Sequence, residues 1–457
     1  MTMETILLAI GLCFMLAACV SVNDEVTERQ ITDDETTNFA LDNNDNFTTD
    51  GKWLVHDTRT AGLDVCRSIG KVNVETGEVV VIYSAPEPTT DGPGIGAVSC
   101  FPNSDTAIFI HGPMTSTGLK YDMACRTGAM IPVDGTMKIT WADGRDATAP
   151  FTPGALRGGS HRHDPGGPDG KWIGYTYNDA IMKAKGAEHD LRTLGVTHLG
   201  IPVSVDDAPG NRSGTGFSVV IVNVKLLTEL DANPGTDDIY QASNDRWIGD
   251  RGYQKADGSW QIARAFLGKM RVEETDGTIR DHNEVFVVDI PDDITKPGDG
   301  PLEGTADTMP TPPAGTVQRR LTHTPFGCNS DVRACAHGST LAFTSMPEKG
   351  KRPQLYTCSP LDGTTLKKIT DFPKAVRGTP RWLPDGKHVV VYTQQRLAVV
   401  EIATGKSCWI TPERPDVGSP NGWCVSPDGK LVAYNRRIGT REKNTKQAFT
   451  AKVILPS

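Results

Sequence analysis

A Pro-Asp-Gly-Lys turn running into an apolar strand recurs along this chain, and it restricts the fold more than any other feature. The clearest copies are Pro427-Asp428-Gly429-Lys430 before Leu431 to Tyr434, and Pro384-Asp385-Gly386-Lys387 before His388 to Tyr392. Weaker copies lie at Phe47 to Val55, Cys100 to Ile110 and Pro168 to Tyr177, while Ala334 to Phe343 keeps the strands without the turn. Asp-Gly supplies the positive φ that a tight hairpin requires. Partner hairpins follow at 72–79, 355–364 and 399–405. Repeats of about forty residues, each with several short strands, are the signature of a β-propeller. The 47 Gly and 31 Pro among 457 residues suit many turns, and no long amphipathic helical run is visible. The expected fold is all-β: a seven-bladed β-propeller of four-stranded antiparallel blades, with six or eight blades as alternatives. Blades fall at roughly 47–85, 97–135, 156–230, 245–322, 332–372, 379–412 and 423–455, together one domain over 47–457. Insertions at 180–215 and 290–316 lengthen the third and fourth. The latter, rich in Pro, Gly and Thr, reads as a surface loop.

The first residues read as an address. Ile6 to Ala18 is a short apolar run, below the roughly twenty residues a membrane helix needs. It ends in Leu16-Ala17-Ala18-Cys19, which resembles a bacterial lipobox. That resemblance implies a signal over 1–19 and lipidation of Cys19, although Glu4 stands where a basic residue is usual. Residues 20–46, rich in Asp, Asn, Thr and Glu, read as a flexible acidic tether. The expectation is a lipoprotein of the bacterial cell envelope or surface, joined to the membrane only by its lipid. Net charge is −9 with no block of Lys or Arg, which argues against nucleic acid as a partner. Of ten cysteines, eight lie beyond Cys19, in a compartment that permits disulfides.

The unusual chemistry gathers between residues 150 and 192. His161 and His163 flank Arg162 in a Gly-rich approach, followed by a strand with Tyr175 and Tyr177 on one face and Asn178-Asp179 at its end. Arg157 precedes this set and Arg192 follows it. Imidazoles and phenols can move protons, and Arg157, Arg192 and Asn178 could hold an anionic substrate. The plainer alternative is that the tyrosines pack a sheet and the histidines cap a loop. There is no Gly-x-Ser-x-Gly elbow and no Walker or dinucleotide fingerprint, and no carboxylate pair stands out.

The turn repeats resemble those of TolB-like propellers. Phe109-Ile110-His111-Gly112-Pro113, Thr148 through His163, Thr176 to Asp179, Asp190-Leu191-Arg192 and Val317 to Thr322 are similar to segments of an uncharacterised enterobacterial propeller family. The order His111, then Tyr175/Tyr177, then Arg192 also resembles that of seven-bladed propeller lyases that cleave ulvan, a sulfated, uronate-rich polysaccharide. That second resemblance implies β-elimination with His111 and the tyrosines as catalytic groups, and His161 or His163 standing in for a second histidine. Arg192 would neutralise the uronate carboxylate, whose oxygens gain charge in the transition state. Such a reaction needs no redox cofactor.

His323, Cys328, Cys335 and His337 form a possible structural zinc site of non-standard spacing. A Cys328–Cys335 disulfide, or two buried thiols, are the alternatives. Two functions therefore stand side by side: a lyase acting on a uronate-containing, sulfated polysaccharide, and a non-catalytic envelope propeller that binds a protein or glycan.

Overall fold

A computed structural model of the chain describes residues 26–457 except 42–44, 61, 64–65, 87, 90–91, 137 and 441–442. The signal, the lipobox and Cys19 lie outside the described residues. What is described is all-β, with two α-helices of four and six residues.

The repeated turn has a single local design. Asp428 Oδ1 accepts the Lys430 amide at 3.0 Å, Asp385 that of Lys387 at 2.8 Å, Asp169 that of Lys171 at 3.0 Å and Asp50 that of Lys52 at 3.0 Å. The glycine between takes a φ of +64° to +72° in each case. Ser426 and Thr48 complete two of the turns: each hydroxyl donates to the turn aspartate and accepts the amide of the next strand. Short side chains that bond their own backbone explain why this motif recurs wherever a first strand must reverse into a second.

Each reversal starts an antiparallel meander. Ile95–Cys100, Thr106–His111, Thr127–Pro132 and Thr140–Trp141 form one four-stranded sheet; Cys328 to Lys368 and Arg377 to Trp409 form two more. Gly159–Gly166, Trp172–Asn178, Arg192–Val203 and Gly214–Val220 pair in succession, as do Gln241–Trp247, Ala263–Glu273, Ile279–Asp289 and Val317–Arg320; one parallel bridge, Arg192 to Gln241, links these two sets. Trp53–Asp57, Ser68–Asn73 and Val79–Ser84 form a three-stranded sheet, flanked by bridges from Ala40 to Asp57 and Phe47 to Leu54. From residue 95 onward, the first strands of successive sheets pack against one another. Apolar layers fill the gaps between sheets, as where Val390 and Val399 of one meet Trp423, Tyr434 and Phe449 of the next.

The first strands share an irregularity. Register slips at Gly96/Ser99, His161/Asp164, Ser243/Arg246, Asn329/Arg333, Arg377/Arg381 and Asn421/Cys424. Inside each slip one residue has positive φ: Ala97, Arg162, Asn244, Ser330, Gly378 and Gly422. Such bulges re-aim side chains.

Three expectations are corrected. The described part of the 20–46 tether is built into the fold. Glu28–Gln30 pairs antiparallel with Phe449–Ala451 in the last sheet, and Phe39, Ala40 and Leu41 are buried. Sparse apolar residues in a polar stretch suffice once a sheet edge is there to receive them. The 290–316 insertion is not a bare surface loop: Ile290, Ile294 and Leu302 seat in the core beside Leu194 and Ile221. The 180–215 insertion is partly strand, since Arg192–Val203 and the start of Gly214–Val220 belong to the sheet. None of the eight described cysteines is in a disulfide, and seven are buried. Alkylation in denaturant should therefore label the same number of thiols before and after reduction; extra labels after reduction would contradict this packing.

Candidate functional site

Register places the chemistry at one end of two neighbouring sheets. Gly159 lies opposite Asn178, and Asn178 opposite Arg192; next door Ile95 lies opposite His111, and His111 opposite Thr127. The 112–126 connection, carrying Tyr121 and Arg126, therefore emerges at the same end as the 179–191 connection.

At that end His161, Asn178, Arg126 and Arg192 come together. Asn178 Nδ2 donates to Asp190 Oδ1 at 2.8 Å, so its carbonyl oxygen faces His161 Nε2 at 3.2 Å. A carbonyl only accepts, hence Nε2 carries the imidazole proton and Nδ1 keeps its lone pair. Arg126 Nη1 lies 3.4 Å from that Nδ1, and Arg126 Nε donates to the Tyr121 hydroxyl at 2.7 Å. Burial drives the His161 pKa well below 6.5, with Arg192 and then Arg126 pushing the same way. The imidazole is thus neutral, and 1% exposed. Arg192, half-buried, donates through Nη2 to Thr176 Oγ1 at 2.7 Å, and its Nε has no partner among the described residues. Burial, then the nearby Arg162, lowers its pKa. Two guanidiniums flanking a neutral base form an anion-binding arrangement with proton-accepting capacity.

The other expected groups are buried and engaged in hydrogen bonds within the fold. Tyr175 is buried, its hydroxyl donating to the Val196 carbonyl at 3.1 Å. Tyr177 donates to Asp179 Oδ2 at 2.8 Å, and burial raises both phenols. All seven residues of Trp172–Asn178 are buried, because sheets cover both faces of this strand. Tyr175→Phe should consequently cost about 1 kcal/mol in urea unfolding, one neutral hydrogen bond, without changing any activity; complete loss of function in a folded variant would restore it to the site.

His111 is fully buried: Nδ1 donates to the Gly112 carbonyl at 2.6 Å, Nε2 meets the Tyr83 hydroxyl at 2.9 Å, and Trp141 packs edge-on. His163 lies 2.9 Å from Ser160 Oγ, and Ser160 donates to Asp143. Burial pushes both imidazoles down to about 4. Arg157 is fully buried. It forms a buried pair with Asp179 and donates to the carbonyls of Thr305 and Thr308 in the 290–316 insertion.

The zinc grouping is not assembled. Cys328 opens the strand Cys328–Ala334 and Cys335 follows its far end, so the thiols sit roughly 20 Å apart at the strand's rise per residue. The same separation rules out a disulfide between them. Cys328 Sγ packs near Thr322 and Glu284, Cys335 Sγ near Ser339, and His323 and His337 are exposed. Among the described residues no three His, Cys, Asp or Glu side chains converge on a metal position.

Sequence reasoning missed Arg126 and Tyr121. The signal available was the length of the 112–126 connection, which follows a second strand just as 179–191 does.

The turn-strand repeats, the sheet meanders and the bulged first strands define an all-β fold of the propeller type. Comparison with known proteins narrows this. Uncharacterized protein YidR of Escherichia coli (strain K12) is 33% identical over 411 residues, 87% of this chain and 92% of YidR, and the chain belongs to the YidR family. Residues 94–211 match the family described as protein of unknown function (DUF3748). Among solved structures, an oligogalacturonate lyase in complex with manganese aligns with a TM-score of 0.54 at 14% identity over 93% of each chain. An oligogalacturonate lyase from Vibrio parahaemolyticus aligns with a TM-score of 0.53 at 12% identity, over 95% of this chain and 96% of that one. At these identities the likeness is one of fold.

Proposed function

We propose that this protein is a polysaccharide lyase that cleaves a uronate-containing polymer, sulfated ulvan-like chains among the candidates, by β-elimination. The observation that carries the reading is the neutral imidazole of His161 held between Arg126 and Arg192. The fold shared with oligogalacturonate lyases supports the reaction class. In this reading the sheets are the blades of a seven-bladed propeller whose ring closes where Glu28–Gln30 pairs with Asn444–Lys452. Lipidation at Cys19 would hold the protein at the cell envelope.

The chemistry follows from charge. An incoming carboxylate draws Arg126 off His161 Nδ1 and bridges it to Arg192, whose fork suits a planar carboxylate. The two cations stabilise the extra charge that the carboxylate oxygens carry in the transition state. His161 Nδ1 takes the proton from the carbon next to the carboxylate. That electron pair forms the new carbon–carbon double bond as the bond to the leaving sugar oxygen breaks, and the Tyr121 hydroxyl returns a proton to that oxygen.

His161→Gln should cost at least about a hundredfold in turnover, the low end for removal of a general base. Arg192→Lys should raise KM and lower kcat together, since it keeps the charge and loses the bidentate grip. Wild-type turnover by folded His161→Gln protein would remove this site. The burial of His161 under Arg126 favours a second reading, a non-catalytic propeller that holds an anionic glycan; it predicts polymer binding that weakens in Arg192→Lys, with no product formed.

A further inference from the structure

Inside the ring of first strands lies a chamber of about 240 Å³ bounded by Arg162, Arg246, Arg381, Thr379, Asn421 and Trp423, with Asp331 on its wall. Its origin is in the bulges. Four described sheets place a side chain at the positive-φ position, namely Ala97, Arg162, Asn244 and Ser330, whereas the adjacent fifth and sixth place Gly378 and Gly422 there. At Gly378 a Cβ would meet the Trp423 ring at 2.2 Å, so the missing side chain is what lets the indole lie in the wall.

The lining consists almost wholly of donors. Asp331 is the buried carboxylate, and it already accepts Arg162 at 2.7 Å, Arg246 at 3.0 Å and the Thr379 hydroxyl at 3.0 Å. Arg381 reaches Asp45 at 3.8 Å, a carboxylate whose side chain is 62% exposed. Three guanidiniums line the chamber, and the carboxylate on its wall is fully engaged; Asp164 and Asp245 act on Arg162 from outside the lining. The Trp423 indole N–H and Arg246 Nε, on residues 6% and 3% exposed, have no hydrogen-bond partner among the described residues. A buried donor left unpaired is costly, and an acceptor arriving in the chamber removes that cost. Burial holds the Arg246 guanidinium down to about 10.

We propose that this chamber is a binding site for one small oxyanion group, a sulfate, phosphate or carboxylate, gripped by Arg246 and Arg381 and by the Trp423 N–H. The site adjoins the His161 cluster at Arg162 but uses none of the residues assigned to the lyase reaction. A free ion or an acidic group on a sugar would present the same oxygens, and the two sources can be told apart.

The experiment uses full-length protein with 15N-labelled tryptophan, in which the Trp423 indole signal is assigned by its loss in Trp423→Phe. Sodium sulfate, sodium phosphate, sodium glucuronate and glucose 6-sulfate are titrated at constant ionic strength against a chloride control. The expected result is saturable movement of the Trp423 signal, with the midpoint at least tenfold higher in Arg381→Gln and unchanged in Arg280→Lys, a surface residue paired with Glu274. Tighter response to the inorganic ions assigns the chamber to a free ion, and tighter response to the sugar acids assigns it to a glycan group. If Arg381→Gln fails to fold, Arg381→Lys should show the same loss with the charge retained. A Trp423 signal that moves no more than in chloride, or that titrates identically in the Arg381 variant, overturns the proposal.

Discussion

Asp179→Ala is expected to destabilise the protein by about 3–5 kcal/mol, the cost of leaving a buried cation without its partner. Asp179 is fully buried and serves two ends of the structure at once. Its Oδ2 accepts Arg157 Nε at 3.0 Å, Arg157 Nη2 at 2.8 Å and the Tyr177 hydroxyl at 2.8 Å. Its Oδ1 caps the helix Ala180–Lys183, accepting the amides of Ile181 and Met182 at 2.9 Å each. Removal of the carboxylate strands the Arg157 guanidinium, a phenol and a helix start. Most of the penalty should belong to the stranded charge, so Arg157→Met in the same chain should recover part of it, a coupling that a double-mutant cycle in urea measures. Asp179→Asn, which can still cap, should lose less than Asp179→Ala. Equal stability of Asp179→Ala and wild type would show that the pair is not buried as described. Asn178 precedes this hub directly, so the same contacts hold the amide that orients His161.

Acid should unfold this protein early. His56, His111 and His163 are pushed by burial from 6.5 to about 4, and His161 is driven down as well. Each stays neutral in the folded state while the unfolded chain takes up a proton below pH 6.5. The unfolded state therefore binds more protons, and stability falls as pH drops from 6.5 towards 4. Each imidazole contributes a slope of about 1.4 kcal/mol per pH unit across that window. Four together remove several kcal/mol by pH 5, a large share of a typical folding free energy of about 5–15 kcal/mol. Urea midpoints measured at pH 7.5, 6 and 5 should decline steeply, and His163→Gln should flatten the decline by about one proton. Unchanged midpoints down to pH 5 would mean that these imidazoles are not buried neutral.

The fold was legible where local chemistry dictates it. An aspartate that bonds the amide two residues on, with a glycine at positive φ between, specifies the same reversal at Asp50, Asp169, Asp385 and Asp428 wherever it occurs. The pairing of Glu28–Gln30 with the last sheet was not legible, since its partners lie more than four hundred residues away and no local pattern marks them. In the candidate site, the sequence pattern brought out His161, Asn178 and Arg192 as polar residues at strand ends, and the structure places them at one end of the sheet. Tyr175 and Tyr177 misled because period two shows which residues share a face, not whether a neighbouring sheet covers it. The bulge added a second ambiguity. Arg162 sits at positive φ between His161 and His163, so the two histidines, one strand step apart in sequence, bond to different partners, Asn178 and Ser160.

The most direct measurement is incubation of the wild-type protein with polygalacturonate, alginate, glucuronan, chondroitin and ulvan, following the ultraviolet absorbance of the conjugated unsaturated uronate that β-elimination creates. The expected result is a steady rise with at least one of these polymers, abolished in His161→Gln and retained in Tyr175→Phe. No rise with any of them, from folded protein that still binds the polymer, would contradict a lyase and leave a propeller that holds acidic glycans without cutting them.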